Sequence, residues 1–295
     1  MVSQQISVAI SEILRLHSGI AVDLVSMQPL GGGSINDTYQ ATVNGRLQFF
    51  LKVNTRHQSS LLLQKEKEGL EFLSQQQIIR TPEIIACEEV NGQQWLLLEW
   101  IESGERSPEF WKSFGRQLAA LHHITQSGFG FTSNNFMGAL PQDNQRTDTW
   151  LSFFVQRRLQ PQLTLALQNG LVTTGMIKSF GLLYKKLDTL FEEEPPALLH
   201  GDLWSGNFLC DKTGNPVLID PAVYFGHRSM DLAMTTLFGG FDPLFYESYH
   251  YHFPFPYHYR EQWEICNLYP LLIHLNLFGS SYRMSIEAIL KKFAG

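Results

Sequence analysis

The sequence predicts an α+β protein in two parts: a small antiparallel sheet with one inserted helix over residues 1–101, then a larger, mainly helical part over residues 102–295. Three observations predict it. Two Asn-Gly dipeptides, Asn44-Gly45 and Asn91-Gly92, each separate runs of strand-forming residues, the strongest short-range signal of a hairpin. Between these hairpins, residues 59–76 set Leu61, Leu62, Leu63, Leu70 and Leu73 among Lys and Glu, a helical composition interrupted only by Gly69. Beyond Glu102-Ser103-Gly104 the short runs give way to longer helical segments.

Taken in order, Ile6, Ile10, Ile13 and Leu14 recur at helical spacing without a basic leader, which predicts an amphipathic surface helix and no signal segment. Strands are expected at 38–43 with 47–53, and at 84–90 with 94–101. Ser107-Pro108 reads as the cap and first turn of a helix over 110–122. Further helices are expected at 149–168 and 174–192, with Glu194-Pro195-Pro196 closing the latter before a strand that runs into His200.

Of the 295 residues, 44% are hydrophobic and 17% charged, enough for a sizeable core. A net charge of −6, with the basic residues scattered, argues against a nucleic-acid partner. Cys87, Cys210 and Cys266 are far apart and form no C-x-x-C pair, so neither a disulfide framework nor a zinc site is expected and a reducing cytoplasm fits. The apolar stretch 269–279 is far shorter than the roughly 20 residues that span a bilayer, so no membrane partner is expected.

The chemistry concentrates in His200-Gly201-Asp202-Leu203-Trp204-Ser205-Gly206-Asn207, followed after a short hairpin by Leu218-Ile219-Asp220-Pro221. Asp202 and Asn207 stand five positions apart, the interval of the H-R-D-x-x-x-x-N loop of ATP-dependent phosphotransferases. In such a loop the aspartate orients or deprotonates an acceptor hydroxyl, while the asparagine and a later aspartate, here Asp220, hold magnesium against the ATP phosphates. Gly201 in place of arginine points to kinases of small molecules. Upstream, Gly31-Gly32-Gly33-Ser34 lies between two expected strands, where backbone N–H groups can approach phosphates; alone, a flexible turn explains it as well. Lys52 follows on a strand, and an inward ammonium needs an anionic partner, supplied by phosphates and a helix carboxylate. Glu66 is the first choice and Glu68 the competitor, with a solvated helix face as the alternative for both. Backbone groups of Glu99 and Ile101, at the end of the last strand, could meet an adenine edge.

Read together with Asp220-Pro221-Ala222-Val223-Tyr224-Phe225-Gly226-His227-Arg228 and His274-Leu275-Asn276-Leu277-Phe278-Gly279, the chain resembles the fructosamine-3-kinase, or ketosamine-3-kinase, family from the glycine loop nearly to its end. The resemblance implies a bilobal, protein-kinase-like fold and ATP- and magnesium-dependent phosphorylation of the 3-hydroxyl of ketosamines, borne on small amines or on glycated proteins. By motif, Asp202 would be the catalytic base, Asn207 and Asp220 the metal ligands, and Lys52 with Glu66 the phosphate clamp. Trp204 would offer a flat face to the sugar, and His200, Tyr224 and Arg228 are counted with it as acceptor contacts. Arg228 could pair with phosphate or merely with a carboxylate, and Asp231 is expected to brace the catalytic loop. The helical segment 131–168 and the aromatic stretch 241–259 are expected to line the acceptor side. Ser34 stands where many members carry cysteine, so redox control through that loop is not expected. A kinase of another metabolite, such as an aminoglycoside or amino alcohol, and a nucleotide-binding protein without catalysis are the competing readings. Oligomeric state is open.

Overall fold

The computed structural model describes residues 4–19, 21–22, 25–31, 35–54 and 61–294. Gly32, Gly33 and Ser34 of the glycine loop lie outside the described residues.

The N-terminal region is a five-stranded antiparallel sheet of order β1-β2-β3-β5-β4, built from β1 (Val25–Leu30), β2 (Asp37–Val43), β3 (Leu47–Asn54), β4 (Ile84–Val90) and β5 (Gln93–Glu99). Asn91 and Gly92 have φ of 51° and 76°, the left-handed pair that a two-residue hairpin turn requires. Side chains of a strand alternate between faces, and each face of this sheet meets one helix. On one face Ala41, Val43, Leu51, Val53, Trp95 and Leu97 bury Ile6, Ile10 and Leu14 of α1 (Gln4–Ser18). On the other, Leu96 and Leu98 pack with Leu62, Leu63 and Leu70 of α2 (Leu62–Gln75). Lys52, between Leu51 and Val53, therefore points to the α2 face.

The C-terminal region is mostly helical: α3 (Pro108–His122), α4 (Trp150–Phe153), a π-helical stretch Phe154–Leu159, α5 (Gln160–Gln168), α6 (Thr174–Tyr184), α7 (Ser229–Leu237), α8 (Pro243–His252), α9 (Tyr259–Cys266), α10 (Leu268–Phe278) and α11 (Arg283–Ala294). Ser107 caps α3 by accepting the Phe110 N–H at 3.3 Å, with Pro108 at the first turn. The expected helix over 149–168 is continuous but loosens into the π-helical stretch, and that expected to end at 192 ends at Tyr184. The last N-terminal strand likewise ends at Glu99 rather than 101.

Three antiparallel pairs of short strands carry the loops that matter: β6 (Asn135–Met137) with β7 (Leu140–Gln142), β8 (Ala197–Leu199) with β11 (Tyr224–Gly226), and β9 (Phe208–Cys210) with β10 (Pro216–Leu218). The β6–β7 hairpin joins the two regions. Its Phe136 packs into the apolar cluster beneath α2, beside Ile35 and Phe50. On α2 itself, Gly69 leaves so little space that a Cβ there would lie 3.1 Å from Pro221 Cγ. Helix and C-terminal region are thus in direct contact along the cleft.

Candidate active site

Strand β8 delivers the chain into His200-Gly201-Asp202, and α7 anchors that loop. Asp231, in the first turn of α7, accepts the N–H of His200 at 2.7 Å and of Gly201 at 2.8 Å. Its carboxylate also meets His122 Nε2 at 3.3 Å, while His122 Nδ1 lies 2.8 Å from the Tyr249 hydroxyl. Burial holds His122 below the usual histidine range, so a neutral ring donates to Asp231 and accepts from Tyr249. Gly201 has φ of 86°, and a Cβ there would meet the Ala222 carbonyl at 2.1 Å, which excludes the larger residue of the protein-kinase loop.

Asn207 donates Nδ2 to the Asp202 carbonyl and to Asp202 Oδ2, each at 2.9 Å, leaving its side-chain oxygen for another ligand. Ile219 donates its N–H to the Asn207 carbonyl at 3.1 Å, which ties the strand before Asp220 to the catalytic loop. Asp220 itself has φ of 56°, a left-handed conformation that costs a non-glycine residue of order 1–3 kcal/mol and is held by its surroundings. Across the cleft, Lys52 Nζ bonds Glu66 Oε1 at 2.8 Å and contacts Asp220 Oδ1. Glu68 turns the other way, to Lys65 at 2.7 Å, so Glu66 is the partner of Lys52.

The charges do not balance. Burial opposes the Lys52 ammonium, but Asp220 and Glu66 outweigh it and hold the group charged, above the usual lysine value. Burial and then the Asp220 charge push Asp202 up to about 7, against the pull of the Asn207 hydrogen bond. Burial likewise pushes Glu66 up to about 7, with Lys52 opposing. Three carboxylates share one ammonium, a deficit of positive charge that a divalent cation fits. Asn207 Oδ1 and Asp220 offer two protein oxygens, the short donor set that magnesium takes when phosphate and water complete its shell.

Asp202, Trp204, Asn207, Asp220, Lys52, Glu66 and Gly31 all line one cavity of about 560 Å³. Trp204 stands at its C-terminal wall, its ring so close over Gly206 that a Cβ there would lie 2.3 Å from it. The lining also takes Ile35, Asn36 and Lys65, and from the β6–β7 hairpin Asn135, Phe136 and Gly138, which the sequence places only within the broad segment 131–168. Gly138, at φ of 61° between two short apolar pairs, is the one sequence signal for that hairpin.

Four expectations are corrected by burial. His200 is fully buried, its Nε2 2.9 Å from the Ile219 carbonyl and its Nδ1 accepting the Asp202 N–H at 3.3 Å, so it braces the loop and does not face an acceptor. Tyr224 is fully buried against Phe153, with the Arg158 guanidinium 4.1 Å above its ring. Arg228 takes Glu194 in a two-bond fork, at 2.8 and 2.7 Å, with Phe253 under its guanidinium; its partner is a carboxylate, and it lies outside the cavity lining. Of the two segments expected on the acceptor side, 131–168 contributes Asn135, Phe136 and Gly138, from a strand hairpin rather than the expected helix, whereas 241–259 packs elsewhere, Phe241 against Phe208 and Trp111.

Glu99 and Ile101 sit at the junction of the two regions, outside the cavity lining. The Glu99 carboxylate is bound to Arg80, which also reaches Asp211 at 2.8 Å.

The sequence pattern of the fructosamine kinase family matches residues 6–294. A "Probable ketoamine kinase" of Synechocystis sp. is 38% identical over 294 residues, 99% of this chain and 95% of that protein. The chloroplastic protein-ribulosamine 3-kinase of Arabidopsis thaliana is 34% identical over 286 residues, 94% of this chain and 85% of that one. Among solved structures, a candidate fructosamine-3-kinase of Thermobifida fusca superposes with a TM-score of 0.83 at 29% identity, covering 96% of this chain and 97% of the other. The gentamicin complex of APH(2″)-IIa, 15% identical with a TM-score of 0.64 over 99% of this chain and 97% of that chain, shares the fold alone.

Proposed function

The chain belongs to the fructosamine kinase family, and from that membership and the cleft we propose that it phosphorylates the 3-hydroxyl of ketosamines with ATP and magnesium. One observation carries the reading: Asp202 lies in one cavity with the Asn207–Asp220 oxygen pair, the Lys52–Glu66 pair and the Trp204 ring.

In this reading Asp202 takes the proton of the 3-hydroxyl as that oxygen bonds to the γ-phosphorus and the bond to the β-phosphate oxygen breaks, leaving ADP. A carboxyl raised to about 7 is close to the operating pH, where a base is most effective. Asn207 and Asp220 would hold magnesium, which when bound neutralises charge on the phosphates. Lys52, oriented by Glu66, would bind phosphate oxygens, with Gly31 beside them in the cavity lining. Glu99 and Ile101 would offer backbone groups to the adenine at the lobe junction near residue 101. Trp204 would bear on the sugar. The 3-phosphate of a ketosamine is unstable, so the product releases its amine, which amounts to deglycation.

Among the described residues no helix is long and apolar enough to cross a membrane. A supply of ATP and three unpaired cysteines suit the cytoplasm.

The test is ADP release from magnesium-ATP with ribulosyl-lysine or fructosyl-lysine, beside Asp202→Asn. Turnover is expected to need the adduct and to fall about 100-fold or more in the variant. Near-normal turnover in Asp202→Asn, or silence of the wild type with both adducts, overturns the proposal.

A further inference from the structure

The cleft wall does not end at Trp204. The Trp204 ring lies 5.8 Å from Phe238, Phe238 5.1 Å from His274, and His274 5.5 Å from Phe278 and 5.0 Å from Tyr282. These contacts lead from a residue of the cavity lining to the surface, where Phe238 is 40% and Phe278 49% exposed. A second contact fixes the same end of α10 at the cleft: a Cβ on Gly138, itself a lining residue, would lie 2.9 Å from Leu277 Cδ1. The last turn of α10 therefore sits between two walls of the cavity, at the end that holds the base.

The rings of this row carry no charge, and the cation next to them is paired. His274 Nδ1 lies 2.7 Å from the Pro270 carbonyl, and burial holds the ring below the usual histidine range, so it stays neutral. Arg283, next along the chain, is neutralised by Glu287 at 2.8 Å. Half-exposed aromatic side chains in a row are costly to leave in water and effective in binding apolar groups.

Resting on the proposed ketosamine reading, we infer that this ledge receives the carrier of the adduct, and that the carrier it fits is a polypeptide with an aromatic or aliphatic side chain beside the glycated lysine. With its sugar against Trp204, as in that reading, a ketosamine leads its amine along this wall toward Phe238. The free lysine adduct then places a charged amino group and carboxylate over uncharged rings, whereas a peptide places amides and side chains there. The path over three ring contacts is one that a few extended residues cover at roughly 3.5 Å each.

The experiment compares kcat/KM for ribulosylated or fructosylated lysine in three forms: the free amino acid, a short blocked peptide with Gly on both sides, and the same peptide with Phe on both sides. Each is measured with the wild type, Phe238→Ser and Phe278→Ser, and read as the ratio between substrates within one protein, which folding losses do not alter. The Phe-flanked peptide is expected to lead the Gly-flanked one by about fivefold or more in the wild type, and by less than about twofold in the variants, as for loss of an aromatic contact. Equal use of the flanks by the wild type, or a preference that survives both substitutions, overturns the ledge while turnover of the free adduct leaves the kinase reading standing. Silence with all three forms overturns both.

Discussion

Asn207 holds Asp202 twice, through the backbone carbonyl and through Oδ2, each at 2.9 Å. The same side chain therefore sets the angle of the base and presents the remaining oxygen to a metal. Replacing it with alanine removes both at once. Asn207→Ala is expected to lower kcat/KM by about 100-fold or more and to raise the magnesium concentration for half-maximal rate. A variant with normal magnesium dependence would remove Asn207 from the metal site.

The raised Asp202 carboxyl makes activity and stability depend on pH in opposite directions. As a base it works only when ionised, so kcat/KM is expected to rise as pH passes upward through about 7. For stability the folded pKa exceeds the ordinary value of 3.8, so between these values the folded state binds the extra proton. This contribution is then present at low pH and is lost as pH rises through about 7. A divalent cation competes with that proton. Magnesium is accordingly expected to raise the melting temperature more at pH 8 than at pH 6, and an equal shift at both would place the cation away from Asp202.

Arg228 and Glu194 form a nearly buried pair. Burial disfavours the guanidinium, but Glu194 outweighs it and holds Arg228 charged. Arg228→Met leaves the carboxylate without its partner and is expected to cost about 3–5 kcal/mol of stability, seen as a lower urea midpoint. The KM for a ketosamine is expected to stay the same in the protein that remains folded. A raised KM at unchanged stability would return Arg228 to the acceptor site.

The parts of this molecule that the sequence made legible are those set by local spacing. Asp202, Asn207 and Asp220 lie on one short strand-loop-strand segment, and the Asn-Gly hairpins announce themselves through their turn chemistry. Glu66 could have been separated from Glu68 as well. It falls on the same helical stripe as Leu62, Leu70 and Leu73, all buried, whereas Glu68 is turned about 200° away from it. The role of Tyr224 was not legible, and for Arg228 only the kind of partner was among the alternatives, because their surroundings come from Arg158 and Glu194, remote in the chain. The β6–β7 hairpin escaped for a simpler reason: strands of three residues are too short to show a period.

Phe136 belongs by sequence to the helical region and by packing to the apolar cluster under the sheet, and Gly69 of α2 presses on Pro221 from the other side. These two contacts cross the boundary between the sheet and the helical region. Melting the sheet strips the cover from Phe136 and from the chain that carries Asp220, so loss of the sheet is expected to loosen the loop that holds Asp220 as well, and heat unfolding followed at the two regions is expected to be coupled.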